Sequence, residues 1–330
     1  EVVPNSGCGS WLLEPQSTNL FTYSEAFDSA YWTKQSGIVL TSNSTISPDG
    51  TNNATKVTGN GTVGIYTSAS ATGLVSRSIY IKSIVGNVNV VLQDPILTVT
   101  SKSVLVTEDW QRFELVENNG HASSSGLWVD DIPSSGIYIW GAQLEQNSYP
   151  TSYIPTQGAA STRLRDIATN SGNANLINSS EGVLYAEIKG FENDLSGRYI
   201  SISDGTSNNA IRIYYYSDGG TVFFRKNVNN VGVITSATSA ISQSALTKIA
   251  IRYDSTSFDV FSNGIKILTN LDSNTFSNNT LNTISFTDAD GSGSPFYGKN
   301  KALAVYKTAL TDASLRCLTY PPAVATTFDL

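Results

Sequence analysis

The stretch AIRIYYYS, residues 210–217, alternates with a period of two: Ile211, Ile213 and Tyr215 fall on one face, and Arg212, Tyr214 and Tyr216 on the other. An extended strand with one face on a core and one toward solvent satisfies that pattern, because successive side chains of a strand point to opposite sides. The same alternation returns in SRSIYIKSI (76–84), SKSVLVTE (101–108), GVLYAEIKG (182–190) and KIAIRYD (248–254). Between such runs lie Pro48-Asp49-Gly50, Asp204-Gly205, Asp218-Gly219-Gly220 and Asn263-Gly264, turn clusters in which glycine supplies the positive φ that hairpins need. Helical periodicity is confined to TDASLRCLTY (311–320), where Thr311 is placed to cap a short helix whose Leu315 and Leu318 face inward. Many short strands with almost no helix predict an all-β chain.

A length of 330 residues suits two domains of roughly 150 residues each. The stretch SYPTSYIPTQGAASTRLRD (148–166) reads as their joint. Pro150 and Pro155 remove backbone donors and stiffen the chain, while Tyr149, Tyr153 and Ile154 alternate with polar residues as if lying on a surface, so the connector is tied down. The strand signal then lapses until GVLYAEIKG restarts it. All five tryptophans, at 11, 32, 110, 128 and 140, precede that restart, so the halves are different domains and not a duplication. The reading is two antiparallel β-sandwich (jelly-roll) domains in tandem, residues 1–165, ending in the connector, and residues 166–330.

Charged residues make up 14% of the chain, against about 25% in ordinary globular domains. Ser, Thr, Asn and Gly are abundant instead, a composition suited to extracellular or virion β-proteins. The net charge is −7 and no run of basic residues occurs, so nothing would neutralise a phosphate backbone and no nucleic-acid partner is expected. No apolar run approaches the ~18 residues that span a bilayer, so no membrane insertion is expected. Cys8 and Cys317 stand at opposite ends of the chain, which predicts free, partly buried thiols. With Glu1 first and no methionine, the chain reads as processed, trimmed or excerpted.

The segments LLEPQSTNLFTYSEAFDSAYWTK (12–34), SPDGTNNATKVT (47–58), TEDWQRFEL (107–115) and IYIWGAQLEQNSYPTSYIPT (137–156) occur in the order found in a carbohydrate-binding-module-like jelly roll of bacteriophage fibre and spike proteins, which residues 10–165 resemble. Residues 182–318, through FDVFSNGIKI and ALTDASLRCL, are similar to the concanavalin-A-like or laminin-G-like sandwich that often follows it. The resemblance implies a virion-surface, extracellular setting, other virion proteins as partners, and a homo-oligomer, usually a trimer. Such modules often hold a structural calcium ion, and no other cofactor is implied.

Candidate ligand contacts come from strand faces. In GLWVDDIPSSG, Leu127 and Val129 share one face while Trp128 and Asp130 share the other, the arrangement of a stacking platform beside a carboxylate. Arg212, Tyr214 and Tyr216, with Phe223 and Arg225 of TVFFRKN aligned beside them, place two guanidiniums among aromatic rings, which suits an acidic glycan. The same residues also suit ordinary solvated sheet faces. Trp32, Trp110 and Trp140 read as core packing. DADGSGS (288–294) begins like a calcium loop with Asp288 and Asp290, but Lys299 stands where the bidentate Glu is needed, so it reads as a tight polar turn. The single histidine, His121, lies in a polar segment with no nucleophile motif near it, and no enzyme activity is expected. The expected function is that of a virion-surface fibre or spike module that adheres, without catalysis, to host or environmental glycans, including those on a cell surface. The alternatives are a purely structural fibre or capsid-decoration protein, and a secreted carbohydrate-binding or polysaccharide-degrading protein.

Overall fold

The alternating runs are strands, and each strand pair among the described residues is antiparallel. The computed structural model describes residues 9–96, 101–118, 123–191, 195–291 and 293–321, with backbone alone over 233–237. They divide into a first unit, Pro15–Arg165, and a second unit comprising the residues up to Glu14 and those from Asp166 onward.

The first unit stacks two five-stranded sheets. One runs Gln111–Asn118, Leu74–Ser83, Ile137–Glu145, Ala54–Thr58 and Val39–Thr45; the other runs Thr33–Lys34, Ile65–Ala69, Ser125–Asp130, Val88–Gln93 and Ser101–Val106. Ile79, Ile81, Ile137 and Ile139 from the first meet Ile65, Leu92, Leu127 and Val129 from the second, all fully or almost fully buried. The Trp32 indole closes one end of this core against Phe21 and Phe27.

A guanidinium also sits inside this unit. Arg77 has no exposure, and its planar fork donates to Asp94, Ser125 and the Gly126 carbonyl, with Glu117 at 3.3 Å. Asp94 in turn accepts from the Ser125 hydroxyl (2.7 Å) and the Gly126 amide (3.2 Å). Full pairing is what makes a buried charge tolerable, since removing one partner leaves the other desolvated and alone.

The connector is bound into the same unit. Glu145, fully buried, accepts four hydrogen bonds, from the Ser17 and Thr151 hydroxyls, the Gln143 amide group and the Thr151 backbone N–H. Ile154 is buried rather than lying on a surface, and its N–H and carbonyl are taken by Gln143 and Asn19. Tyr153 packs on Trp140 with ring centroids 4.4 Å apart.

In the second unit a six-stranded sheet (Trp11–Leu13, Gly298–Tyr306, Gly182–Gly190, Thr247–Tyr253, Ser257–Ser262, Ile265–Leu271) faces a five-stranded one (Val231–Thr238, Val222–Val228, Ala210–Tyr215, Arg198–Ser203, Thr283–Ser285). Ile211, Ile213 and Tyr215 enter the core with Ile200, Phe224, Ile249 and Phe258, as the alternation predicts. Asn263 and Gly264 both have positive φ, the paired left-handed conformation of a two-residue hairpin whose twist matches its strands. The helix Asp312–Thr319 is capped by Thr311, with Leu315 buried on the sheet and Leu318 packed beside it. No helix among the described residues is long and apolar enough to cross a membrane.

Three further expectations are corrected. Trp11–Leu13, read as part of the 1–165 domain, pairs with Gly298–Tyr306 of the second unit, through Trp11↔Asn300 and Leu13↔Gly298. Three residues are too few for periodicity to reveal a partner nearly three hundred positions away. Trp110 is a half-buried surface residue: its indole donates to the Ile46 carbonyl and Lys82 lies over its ring, so a polar handle and a cation hold it on the outer face. Cys317 is exposed on the helix, because the buried stripe runs through Leu315 and Thr319. Cys8 lies outside the described residues.

Replacing Arg77 with Ala is expected to cost the first unit about 3–5 kcal/mol by stranding Asp94, and Lys cannot restore the fork-shaped donor set; denaturant unfolding of both variants checks this. In the second unit Asp272 pairs with the buried Lys226 at 2.6 Å. Burial opposes ionisation of Asp272, but hydrogen bonds from Lys226 and Asn274 outweigh it and hold the carboxyl below its usual range. A depressed folded pKa contributes stability that is complete above the unfolded value of about 3.9 and is lost as pH falls through the folded one. Thermal melts below about pH 4 are therefore expected to fall more steeply for the native chain than for Asp272→Asn.

Candidate functional site

The outer face of the sheet carrying Ser125–Asp130 is built by register. Pairing aligns Thr33, Tyr66, Trp128, Gln93 and Ser101 in a single row across all five strands, with Asp130, Val91 and Ser103 in the row beside it. Leu127 and Val129 point inward, so Trp128 and Asp130 necessarily point out. The Trp128 and Tyr66 rings lie 5.4 Å apart at 46°. Gly64 makes room for the indole, since a Cβ there would stand 2.5 Å from Trp128 Nε1.

The polar atoms of this face are only partly used. Gln93 donates to one Asp130 oxygen at 3.0 Å, while Asp130 Oδ1 and Trp128 Nε1 are shielded from solvent, and the indole and the Asp131 backbone both favour the ionised carboxylate. Burial raises the Asp130 carboxyl above its ordinary range. The face thus offers two half-exposed rings with a partly exposed carboxylate beside them.

The second unit brings Tyr214, Tyr216, Phe223 and Arg225 together on the outer face of its five-stranded sheet, with Tyr199 completing the set. Tyr199 and Tyr214 are parallel, 4.0 Å apart at 2°, and Tyr216 stands edge-on to both Tyr214 and Phe223. The Arg225 guanidinium lies 4.9 Å from the Tyr214 ring and 5.1 Å from that of Phe223. Its Nε is shielded and without a partner. Burial, with the neighbouring Tyr214 adding to it, pushes the Tyr199 phenol up to about 12.

The two guanidiniums are not equivalent. Arg212 and Arg225 face each other across the strand pair, a like-charge contact that is unfavourable unless relieved. Asp288 relieves it by accepting from Arg212 Nε at 2.8 Å, and Arg212 is buried in the process. Arg212 is therefore an internal ion-pair partner, and Arg225 carries the cationic character of the open face. Residues 288–291 form a turn, closed by Gly291 N–H to the Asp288 carbonyl, and the Asp288 N–H donates to the Gly293 carbonyl. These residues do not fit calcium, because Asp288 Oδ1 already accepts from Arg212 and Ala289. Among the described residues no group of three or more His, Cys, Asp or Glu side chains could hold a metal ion. His121 lies outside the described residues.

Tyr66, Gln93 and Tyr199 are absent from the sequence expectation. Each sits in a run whose alternation turns it outward, but only the strand register shows which neighbours it meets.

Residues 166–316 match a family model described as the concanavalin A-like lectin/glucanases superfamily, in keeping with the sandwich of the second unit. No curated protein matches the chain. Among solved structures, the carbohydrate-binding module of the Ruminococcus gnavus IT-sialidase bound to α2,3-sialyllactose is 20% identical with a TM-score of 0.36, over 47% of this chain and 95% of that one. A heptameric SAP-like pentraxin from Limulus polyphemus is 18% identical (TM-score 0.36), over 46% of this chain and 73% of that one. Mouse laminin α1 domains LG4-5 are 10% identical (TM-score 0.32), over 89% of each chain.

An Asp130 carboxyl raised by burial binds its proton more tightly in the folded state, so its contribution to stability grows on acidification and fades as pH rises through the raised pKa. A carbon-13 NMR titration is expected to place its midpoint above the usual value of about 3.9.

Proposed function

We propose that this chain is a non-catalytic glycan-binding module displayed on an extracellular surface, with the Trp128 face as its principal contact. The observation that carries this reading is the open row Thr33–Tyr66–Trp128–Gln93–Ser101 with the Asp130 carboxylate in the row beside it. A pyranose can lay its C–H face on the rings while its hydroxyls reach the Asp130 carboxylate and the Gln93 amide at the edge of the row.

The setting we propose is a bacteriophage fibre or spike at the virion surface. The ordered motifs of residues 10–165 and the low charge of the chain support it. Repetition of a weak site on a particle raises apparent affinity through effective concentration, so we also propose a homo-oligomer, with a trimer as its form. The second unit's Tyr214, Tyr216 and Arg225 provide an additional face whose cation favours acidic sugars.

A glycan array probed with the folded, full chain is expected to give discrete hits, and Trp128→Ala to weaken those carried by the first unit by about tenfold or more. Tyr214→Ala is expected to remove any hit confined to sialylated, sulfated or uronic-acid glycans. A blank array for an assembled, folded sample sinks the binding reading and leaves a structural fibre or decoration role.

A further inference from the structure

The first unit contains a second polar site, remote in composition from the aromatic faces. A cleft of about 510 Å³ opens between the loop at Glu25–Asp28, the strands Val39–Thr45 and Ala54–Thr58, and the connector at Pro155–Gln157. A bulge shapes one wall. Thr41 to Thr45 spans four steps while its partners Lys56 to Ala54 span two, and Asn43 within the bulge has φ of 55°, a left-handed conformation that asparagine tolerates better than most residues.

The wall is held in place from behind. Glu25 accepts from the Asn53 side-chain amide at 3.0 Å and from the Tyr153 hydroxyl at 2.8 Å. Burial raises the Tyr153 phenol far above its usual range, so it remains a donor. Because Asn53 spends its N–H on Glu25, its Oδ1 is left as an acceptor, buried and without a partner. Thr156, only 8% exposed, lines the cleft, and its Oγ1 likewise has no partner. Buried polar atoms are rarely left unpaired, so two of them at one cleft point to groups that arrive from outside.

We infer that this cleft binds the hydroxyls of an uncharged sugar ring, with Asn53 Oδ1, Thr156 Oγ1 and the free lone pairs of Glu25 and Asp28 as its acceptors. The titratable lining residues are Glu25 and Asp28, both acidic; Lys34, which donates to the Asp28 carbonyl at 3.0 Å, offsets only part of that charge, so neutral ligands are favoured over carboxylated, sulfated or phosphorylated ones. The volume lies in the range of small-molecule sites, about 300–1,000 Å³, and far exceeds what a single ion fills. Each Glu25 oxygen is occupied by a donor, which holds the carboxylate as a fixed acceptor. The inference shares its ligand class with the proposed function but none of its residues.

The test is TROSY NMR of the full chain with selectively labelled Asn, Thr and Trp, titrated with the methyl pyranosides of glucose, galactose, mannose and N-acetylglucosamine, and separately with calcium chloride. The Asn53 side-chain amide and Thr156 backbone amide report the cleft, and the Trp128 indole reports the sheet face, so the two sites succeed or fail independently. At least one sugar is expected to shift Asn53 and Thr156, and Thr156→Val, which keeps the shape and backbone bonds, is expected to weaken that binding about tenfold, as is Asn53→Ala. No cleft shift with any of the four sugars, shifts with calcium alone, or unchanged affinity in both variants would each overturn the inference. Release of methanol from a glycoside would overturn it in favour of a hydrolase.

Discussion

A guanidinium closed off from water between two sheets constrains the first unit. Arg77 belongs to Leu74–Ser83 of one sheet, while its partners Ser125 and Gly126 begin a strand of the other. With Asp94 completing the pairing, the start of Ser125–Asp130 has one satisfied position. A shift by one residue would turn Leu127 outward and Trp128 into the core, and would also strand a buried charge. The aromatic row on the outer face is thus a consequence of a polar lock on the inner one.

The connector extends the same logic. Glu145 gathers Ser17, Gln143 and Thr151, and Asn19 satisfies all four of its hydrogen-bonding positions with Ala142, Ile154, Phe21 and Leu144. Proline keeps the stretch from Pro150 to Pro155 out of a strand, where buried side-chain bonds replace ladder bonds, and only beyond it does Ser161–Arg163 pair with Ser17–Asn19. That binding carries Tyr153 and Thr156 to Glu25, and so it shapes the cleft as well as the joint.

The two units present faces of opposite character. The first offers carboxylates, Asp130 on the sheet and Glu25 with Asp28 in the cleft. The second offers Arg225 laid over tyrosine and phenylalanine rings, its charge undiminished because Asp288 is engaged by Arg212 instead. Electrostatic complementarity governs which ligands each face admits more than how tightly it holds them.

Local geometry explains what was legible. Alternation within a strand is set by the backbone of that strand alone, so the inward turn of Ile211 and Ile213, the outward turn of Trp128 and Tyr214, the Asn263-Gly264 hairpin and the Thr311 cap could all be read from neighbouring residues. The all-β class follows from those features by themselves. The tertiary structure decided which faces meet: that Tyr66 and Gln93 flank Trp128, that Asp288 withdraws Arg212 from the open face, and that Trp11–Leu13 completes the sheet of the other unit. It also decided which polar atoms remain unpaired, Asn53 Oδ1 and Thr156 Oγ1 among them. Those facts depend on contacts such as Tyr153 with Glu25, 128 positions apart. No periodicity spans that separation, because partners so distant in the chain are chosen by packing and charge in the folded molecule and not by the conformational preferences of either segment.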